Sequence, residues 1–427
     1  MGRLAYNSRK VKRASKRCNR HKVYPRVRKS YLLIEGKGWV SKDNFRAYHL
    51  CGTPNRFGYL YGNIGVSLDN ETQEAHYHGR LACGSVWICP NCGSRIGYER
   101  ADELRTAVDN FYQSSTGSVV FVTFTVPHIR RYGLEKSLDG ISKAYQGMGQ
   151  SRVFKDLMRS FGSMGAVRSV EITYGKNGWH PHFHVVYFLN DLSPEDFTSL
   201  QSLRMRLFAI WEKMVKKGQL GDPSFEAFDL QLVSRDSGAE IGAYVAGGTW
   251  DISDEMSKGQ FKTPLDGGLT IQDIMEGAAS YELTSEQWSR LEEAKRADLD
   301  SDEPLITKEF FGHRARVANL SHTQLIALFR EYASVTKGRK QMFWSPGLRA
   351  SLRLDVEKTD EELAQEADFD GEFLGIISGH DYMSLLNSSR EVEFLESVEY
   401  IGWERTLASF GFKDIKGMNS VRSFWST

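Results

Sequence analysis

The chain has 427 residues, with 55 Lys+Arg against 54 Asp+Glu and a net charge of +1. That length accommodates two or three domains with real cores, while the balanced charge by itself argues neither for nor against nucleic acid. No apolar run spans a bilayer and no internal repeat is visible, so neither a membrane protein nor a solenoid is expected.

The charge is segregated along the chain. Residues 1–30 hold 12 Lys+Arg, including Arg9, Lys10, Lys12, Arg13, Lys16 and Arg17, and no acidic residue. The remainder therefore holds 43 basic and 54 acidic residues. Such a tail suits salt-dependent, sequence-independent contact with DNA phosphates; a solvated tail and a targeting peptide are the alternatives. These first residues lack the apolar run of a signal peptide, so a reducing, cytoplasmic setting is expected.

Residues 31–112 read as a zinc-binding segment. Cys89-Pro90-Asn91-Cys92-Gly93 forms a knuckle that sets two thiolates close together, and its glycine is expected to free backbone amides toward sulfur. Cys83 and Cys51 bring the set to four, enough for a tetrahedral structural Zn²⁺. A disulfide framework competes with this reading, as does His76 or His78 in place of Cys51. Cys18 falls outside the set.

Residues 113–250 carry the chemistry. A strand is expected at 118–126, a helix at about 134–162, and a helix from the Ser193-Pro194 cap to about Lys217. Another strand is expected from Phe225 to Val233. Between the helices lie two alternating runs, Val167–Tyr174 and Trp179–Phe188, with Asn177-Gly178 as the expected two-residue turn. In that register Glu171 sits opposite His184 and Thr173 opposite His182, while Ile172 and Val170 face Phe183 and Val185. Because alternate side chains share a face, His180, His182 and His184 line one side of the sheet. Two imidazoles at i and i+2 suit a small divalent cation with open positions, and Glu171 is the candidate third ligand, with His180 its rival. The element order gives an antiparallel sheet backed by helices on one face, a ferredoxin-like α+β layer.

The segment Gly238–Ala246 reads as a short helix with Glu240 and Tyr244 one turn apart. A tyrosine beside a metal-bound phosphate can form a covalent ester, and a carboxylate there can activate water or accept the phenolic proton. Residues 251–305 follow with 14 Asp+Glu against 5 Lys+Arg, an acidic insertion that would repel DNA or shape one side of the site. Residues 306–355 complete the domain begun at 113–250, with a helix at 320–336 leading to the candidate DNA contacts Arg339 and Lys340. The C-terminal extension, 356–427, carries no readable motif.

Together these residues resemble the HUH endonucleases, and within them the plasmid rolling-circle replication initiators that pair a glutamate with one tyrosine. His182-Phe183-His184 matches the family's metal motif, and Phe121-Val122-Thr123-Phe124-Thr125-Val126 looks like its first motif. Glu240 and Tyr244 match its tyrosine helix, and Gly338–Ser345 is similar to a segment downstream of it. The cysteine-rich segment has a counterpart in these initiators too, so the likeness runs, with gaps, from about Cys51 to about Leu354. Ala243 and Gly247 stand where many members carry a lysine, so a cation assisting phosphate binding must come from elsewhere.

The resemblance implies an HUH-type fold and metal-dependent nicking of origin DNA. His182, His184 and Glu171 would hold Mg²⁺ or Mn²⁺ and Tyr244 would be the nucleophile. The implied products are a 5′-phosphotyrosine bond and a 3′-hydroxyl primer. No Walker-type loop is present, so a host helicase and polymerase are the expected partners. A relaxase or transposase with the same chemistry is the alternative, followed by an unrelated zinc hydrolase or zinc-dependent nucleic-acid binder. The zinc segment and the stretch near Trp344 favour the initiator, and Val185-Val186 after the paired histidines weighs against a metallo-β-lactamase-like hydrolase.

Overall fold

A computed structural model of the chain describes residues 51–54, 56–57, 60–70, 73–127, 132–233, 268–280, 320–365, 371–388 and 390–415. These fall into two compact units. The first draws on the described residues within Met1–Ser85, Cys89–Gly93 and Thr359–Thr427, the second on those within Val86–Ile88 and Ser94–Lys358. The basic tail and the helix expected around Glu240 and Tyr244 lie outside the described residues.

The first unit opens with a short ladder, β1 (Arg56–Phe57) against β2 (Leu60–Tyr61). An antiparallel pair follows, β3 (Ile64–Asp69) and β4 (Ala75–His78), in the register Gly65↔His78 and Ser67↔His76.

Helix α1 (Pro90–Ser114) leads into the second unit and is followed by β5 (Ser118–Phe124). Next come α2 (Leu134–Gln150), α3 (Arg152–Ser160), β6 (Ser163–Gly175) and β7 (Gly178–Leu189). Then follow α4 (Phe197–Lys217), β8 (Asp229–Val233), α5 (Ile271–Ser280), α6 (His322–Thr336), β9 (Met342–Trp344) and α7 (Leu348–Ser351). The five strands form one antiparallel sheet in the order β8-β5-β7-β6-β9. Leaving out the edge strand β9, this is the ferredoxin-like arrangement that the order of elements predicts. Strand β5 is almost wholly buried, as its run of valines and phenylalanines requires of a strand covered on both faces.

Helices cover both faces of this sheet, where the sequence led us to expect one. On one face, Phe124 and Phe183 meet Tyr145 of α2 and Trp211 of α4 edge-to-face, with ring centroids 5.1–5.5 Å apart. On the other, Leu104, Val108 and Phe111 of α1 share a buried cluster with Val119, Phe121, Val167, Val186 and Phe188. The histidines stand on this second face, where the Phe121 ring stacks on His184 at 5.2 Å.

Three local expectations are corrected. The helix expected at 134–162 is two helices, because Ser151 leaves the helical conformation and its side chain accepts a hydrogen bond from Phe154 N, starting α3 afresh. Asp196, rather than Ser193-Pro194, caps α4, accepting from Ser199 N at 2.9 Å. The β6–β7 turn falls on Lys176-Asn177, with Gly175 paired to Gly178. Gly178 takes φ +95°, a conformation that suits glycine and closes the turn one residue early. Every cross-strand pair therefore moves by two: Glu171 faces His182, Thr173 faces His180, Val170 faces Phe183 and Ile172 faces Pro181. A shift of two preserves which residues share a face.

Within the acidic stretch 251–305, Leu269 pairs with Tyr174 of β6 and residues 269–275 are buried. Asp273 is spent there on Thr270, accepting from both its backbone N–H and its hydroxyl at 2.9 Å.

The C-terminal residues return to the first unit. After α8 (Asp360–Gln365), β10 (Gly371–Ile377) pairs antiparallel with β3, giving the sheet order β10-β3-β4. Helices α9 (Gly379–Ser388), α10 (Glu391–Ile401) and α11 (Trp403–Phe410) close this core, in which Tyr382, Phe394 and Leu395 are buried with Ile64, Val66 and Tyr77.

Candidate functional site

Glu171 from β6 and His182 and His184 from β7 converge on the α1 face of the central sheet. Direct pairing across the ladder puts Glu171 beside His182, and alternation brings His184 to its other side. Nε2 of His182 and Nε2 of His184 each lie 2.8 Å from Glu171 Oε2. The three potential ligand atoms all fall within 4.8 Å of one another. Glu171 and His184 are buried and His182 is nearly so.

Both imidazoles are held from behind. His184 Nδ1 lies 3.2 Å from the Thr123 hydroxyl and His182 Nδ1 lies 3.4 Å from the His180 carbonyl, leaving the two Nε2 atoms to converge. Metal-binding histidines are typically oriented in this way. Burial opposes ionisation of Glu171, but charge and hydrogen bonds from His182 and His184 outweigh it and hold the carboxyl below its usual range. Ligands at right angles on an octahedral ion, at about 2.1 Å each, stand about 3.0 Å apart. The observed 2.8 Å separations fit a small divalent cation.

His180 contributes its carbonyl rather than its ring to this arrangement. Its ring centroid lies 5.1 Å from that of His182, and its side chain is not among the three converging groups. Thr123 is a residue whose role sequence reasoning missed. It stood within a recognised apolar strand, and the strand's alternation could have placed it beside His184, with which it pairs directly.

In the first unit, Cys51, Cys83, Cys89 and Cys92 come together with no disulfide among them. Cys51 Sγ lies 3.4 Å from Cys89 Sγ and 3.5 Å from Cys92 Sγ, and Cys83 Sγ lies 3.7 Å from Cys92 Sγ. Four sulfurs at about 2.3 Å from a zinc would be about 3.8 Å apart, so the donor set fits a tetrahedral ion. Hydrogen bonding from Cys83 lowers the Cys51 thiol, whereas burial pushes Cys89 up. The knuckle differs from expectation in one detail: the Cys92 amide faces the Cys89 sulfur at 3.5 Å, while the Gly93 amide donates to the Cys89 carbonyl. The glycine amide serves the first turn of α1 instead of sulfur. His76 and His78 lie on β4 and do not join the four thiols.

Arg339 and Lys340 are engaged within the protein. Arg339 pairs with Asp139 of α2 at 2.9 Å and donates to the Val335 carbonyl, and Lys340 lies 3.5 Å from Glu357. Tyr244, Glu240, Arg9, Lys10, Lys12, Arg13, Lys16 and Arg17 lie outside the described residues. Among the described residues, no helix is long and apolar enough to cross a membrane.

Residues 77–217 match the model of a family described as "Replication protein", a stretch that contains Cys83, the knuckle, Glu171 and all three histidines. The chain is similar to "Protein rep" of Streptomyces lividans, 25% identical over 345 residues and covering 69% of each chain. It is also similar to "Protein rep" of Lentilactobacillus hilgardii, 30% identical over 118 residues covering 26% of this chain and 36% of the relative. A third relative, the "Neomycin resistance protein" of Streptomyces cyanogenus, is 26% identical over 133 residues, 25% of this chain and 30% of its own. No solved structure matches. The resemblance to replication proteins is thus borne out over the stretch that carries Glu171 and the three histidines.

Proposed function

Taking similarity to replication proteins as the premise, we propose that this chain initiates plasmid rolling-circle replication as an HUH endonuclease of the Glu/Tyr subgroup. The observation that carries the reading is the convergence of His182, His184 and Glu171 on one sheet face, inside the stretch matched by the replication family. Mg²⁺ or Mn²⁺ is the cation assigned to these ligands, and Zn²⁺ the structural ion assigned to Cys51, Cys83, Cys89 and Cys92.

Held by His182, His184 and Glu171, a divalent cation would polarise the scissile phosphate and lower the cost of its developing charge. Thr123 and the His180 carbonyl keep the imidazoles aimed at that position. The Tyr244 phenolate oxygen attacks phosphorus in line, forming the P–O bond to tyrosine as the P–O3′ bond breaks. The departing 3′-oxygen takes the electron pair and a proton, leaving a 3′-hydroxyl for a polymerase. The phosphotyrosine ester conserves the bond, so strand rejoining needs no nucleotide cofactor. Origin DNA is the substrate, the basic tail adds affinity through phosphates, and a host helicase supplies unwinding.

Glu240 is assigned the terminating step, activating water at the regenerated junction. Glu240→Ala should still make the first nick, since attack by tyrosine needs no activated water. It should then accumulate products longer than one unit. Equal loss of the first nick would make Glu240 the base for Tyr244 instead, and normal termination would remove it from the chemistry.

The zinc assignment has its own test. Cys89→Ser or Cys92→Ser should release about one zinc per chain and lower the melting temperature, because structural zinc contributes folding free energy directly. Elemental analysis of freshly purified wild-type protein finding no zinc would refute it.

The function as a whole is tested by incubating the protein with Mn²⁺ and a library of single-stranded and supercoiled DNA, then sequencing the cut ends. Nicks at one site on one strand of a plasmid origin are expected. Cuts confined to a transfer origin or to transposon ends would point to a relaxase or transposase instead.

A further inference from the structure

Glu331, on α6, uses both carboxylate oxygens to tie separate elements together. Its Oε1 accepts from Leu134 N at 2.6 Å, and its Oε2 accepts from Trp179 Nε1 at 2.8 Å. Leu134 opens α2, whose N-cap residue Gly133 offers no side-chain cap, so Glu331 supplies that cap from a distant part of the sequence. Gly133 has an ordinary φ of −68°, and what favours glycine there is space: a Cβ would sit 2.8 Å from Glu331 Oε1. Trp179 directly precedes His180 at the start of the histidine strand and pairs across the hairpin with Tyr174. The next residue on α6, Tyr332, packs on Trp179 with ring centroids 5.9 Å apart and on Trp87 at 6.2 Å.

We propose that Glu331 is a positioning residue for the candidate metal centre, holding the start of the histidine strand through Trp179 and fixing it to the N-terminus of α2. The inference rests on the reading of Glu171, His182 and His184 as metal ligands. The chemistry selects a carboxylate. Both partners are N–H donors, and a carboxylate presents an acceptor to each, whereas the amide of glutamine has one acceptor and must set its NH₂ against the other donor. Aspartate, one methylene shorter, spans less distance between them.

The test measures Mn²⁺ affinity of the full chain by electron paramagnetic resonance, alongside the imidazole NMR signals of the metal-free protein. Glu331→Gln should weaken Mn²⁺ binding about fivefold, less than the loss of a group bonded directly to a ligand costs, and should shift the His182 and His184 signals. Trp179→Phe removes one donor, so Glu331→Gln should cost little more in that background. Ser321→Ala serves as the control. It destabilises the same helix by removing the capping box between Ser321 and Gln324 and leaves Trp179 untouched, so Mn²⁺ affinity should stay within about twofold. Glu331→Gln binding Mn²⁺ as wild type does, or Ser321→Ala weakening it equally, would overturn the proposal. A wild-type protein that binds no Mn²⁺ would instead overturn the metal reading. The histidine signals would then decide the role of Glu331: a shift with Glu331→Gln alone supports it, and none refutes it.

Discussion

Tyr244→Phe is expected to abolish nicking and the covalent adduct together. The substitution removes one oxygen and keeps the ring, so packing is disturbed little while the attacking atom is gone. Loss of a nucleophile closes the covalent route instead of weakening it, and cleavage should fall by at least about 10³-fold. Affinity for single-stranded DNA should change little, because the phosphate contacts assigned to the basic tail are made elsewhere in the chain. Gel assays of supercoiled plasmid containing the origin, with fluorescence anisotropy for binding, check both halves. Full nicking by the variant would move the nucleophile to another residue or to water.

His184→Ala and His182→Ala should each eliminate cleavage through loss of the metal. Each removes one of three converging candidate ligands, so Mn²⁺ affinity should fall more than about 100-fold, beyond the usual cost of losing an outer-shell partner. His184→Ala should also lower stability, because the ring is buried, stacked on Phe121 and held by Thr123. His182 is more exposed, and its variant should retain more of the melting temperature. Glu171→Ala should behave like the histidine variants in metal binding. His180→Ala keeps the backbone carbonyl that His182 faces and should stay near wild type. Calorimetry with Mn²⁺ on the four variants separates these outcomes. An inactive His180→Ala beside an active Glu171→Ala would show that the third ligand has been misassigned.

The candidate site was legible because strand periodicity is insensitive to the error made in the turn. Placing the turn at Asn177-Gly178 moved every pair by two residues, yet Glu171, His182 and His184 stayed on one face. Glu171 was expected opposite His184 and stands opposite His182, but a carboxylate in that row reaches both imidazoles. The paired thiols of Cys89 and Cys92 were legible from their spacing, whereas Cys51 competed with His76 and His78 for the fourth place that the structure gives to its sulfur. What was hidden depended on contacts distant in sequence. Glu331 reaches Leu134 and Trp179 across 197 and 152 residues, and nothing local marks it among the other surface-type glutamates. The C-terminal region likewise has no motif of its own because β10 gains its meaning only by pairing with β3, some 300 residues earlier. The break at Ser151 was masked by a helical apolar period that continues through both helices. Arg339 and Lys340 were expected as DNA contacts, and nothing local in the sequence announces their ion pairs with Asp139 and Glu357.

The proposed mechanism turns on a covalent tyrosyl–DNA intermediate formed next to the histidine centre. It is tested most directly by trapping the wild-type protein on a single-stranded origin oligonucleotide with Mn²⁺, digesting both components and locating the nucleotide adduct by mass spectrometry. A 5′-phosphonucleotide is expected on the peptide containing Tyr244, present with Mn²⁺ and absent after EDTA. An adduct on any other residue, or cleavage that leaves free 5′-phosphate with no adduct at the earliest times, would contradict it.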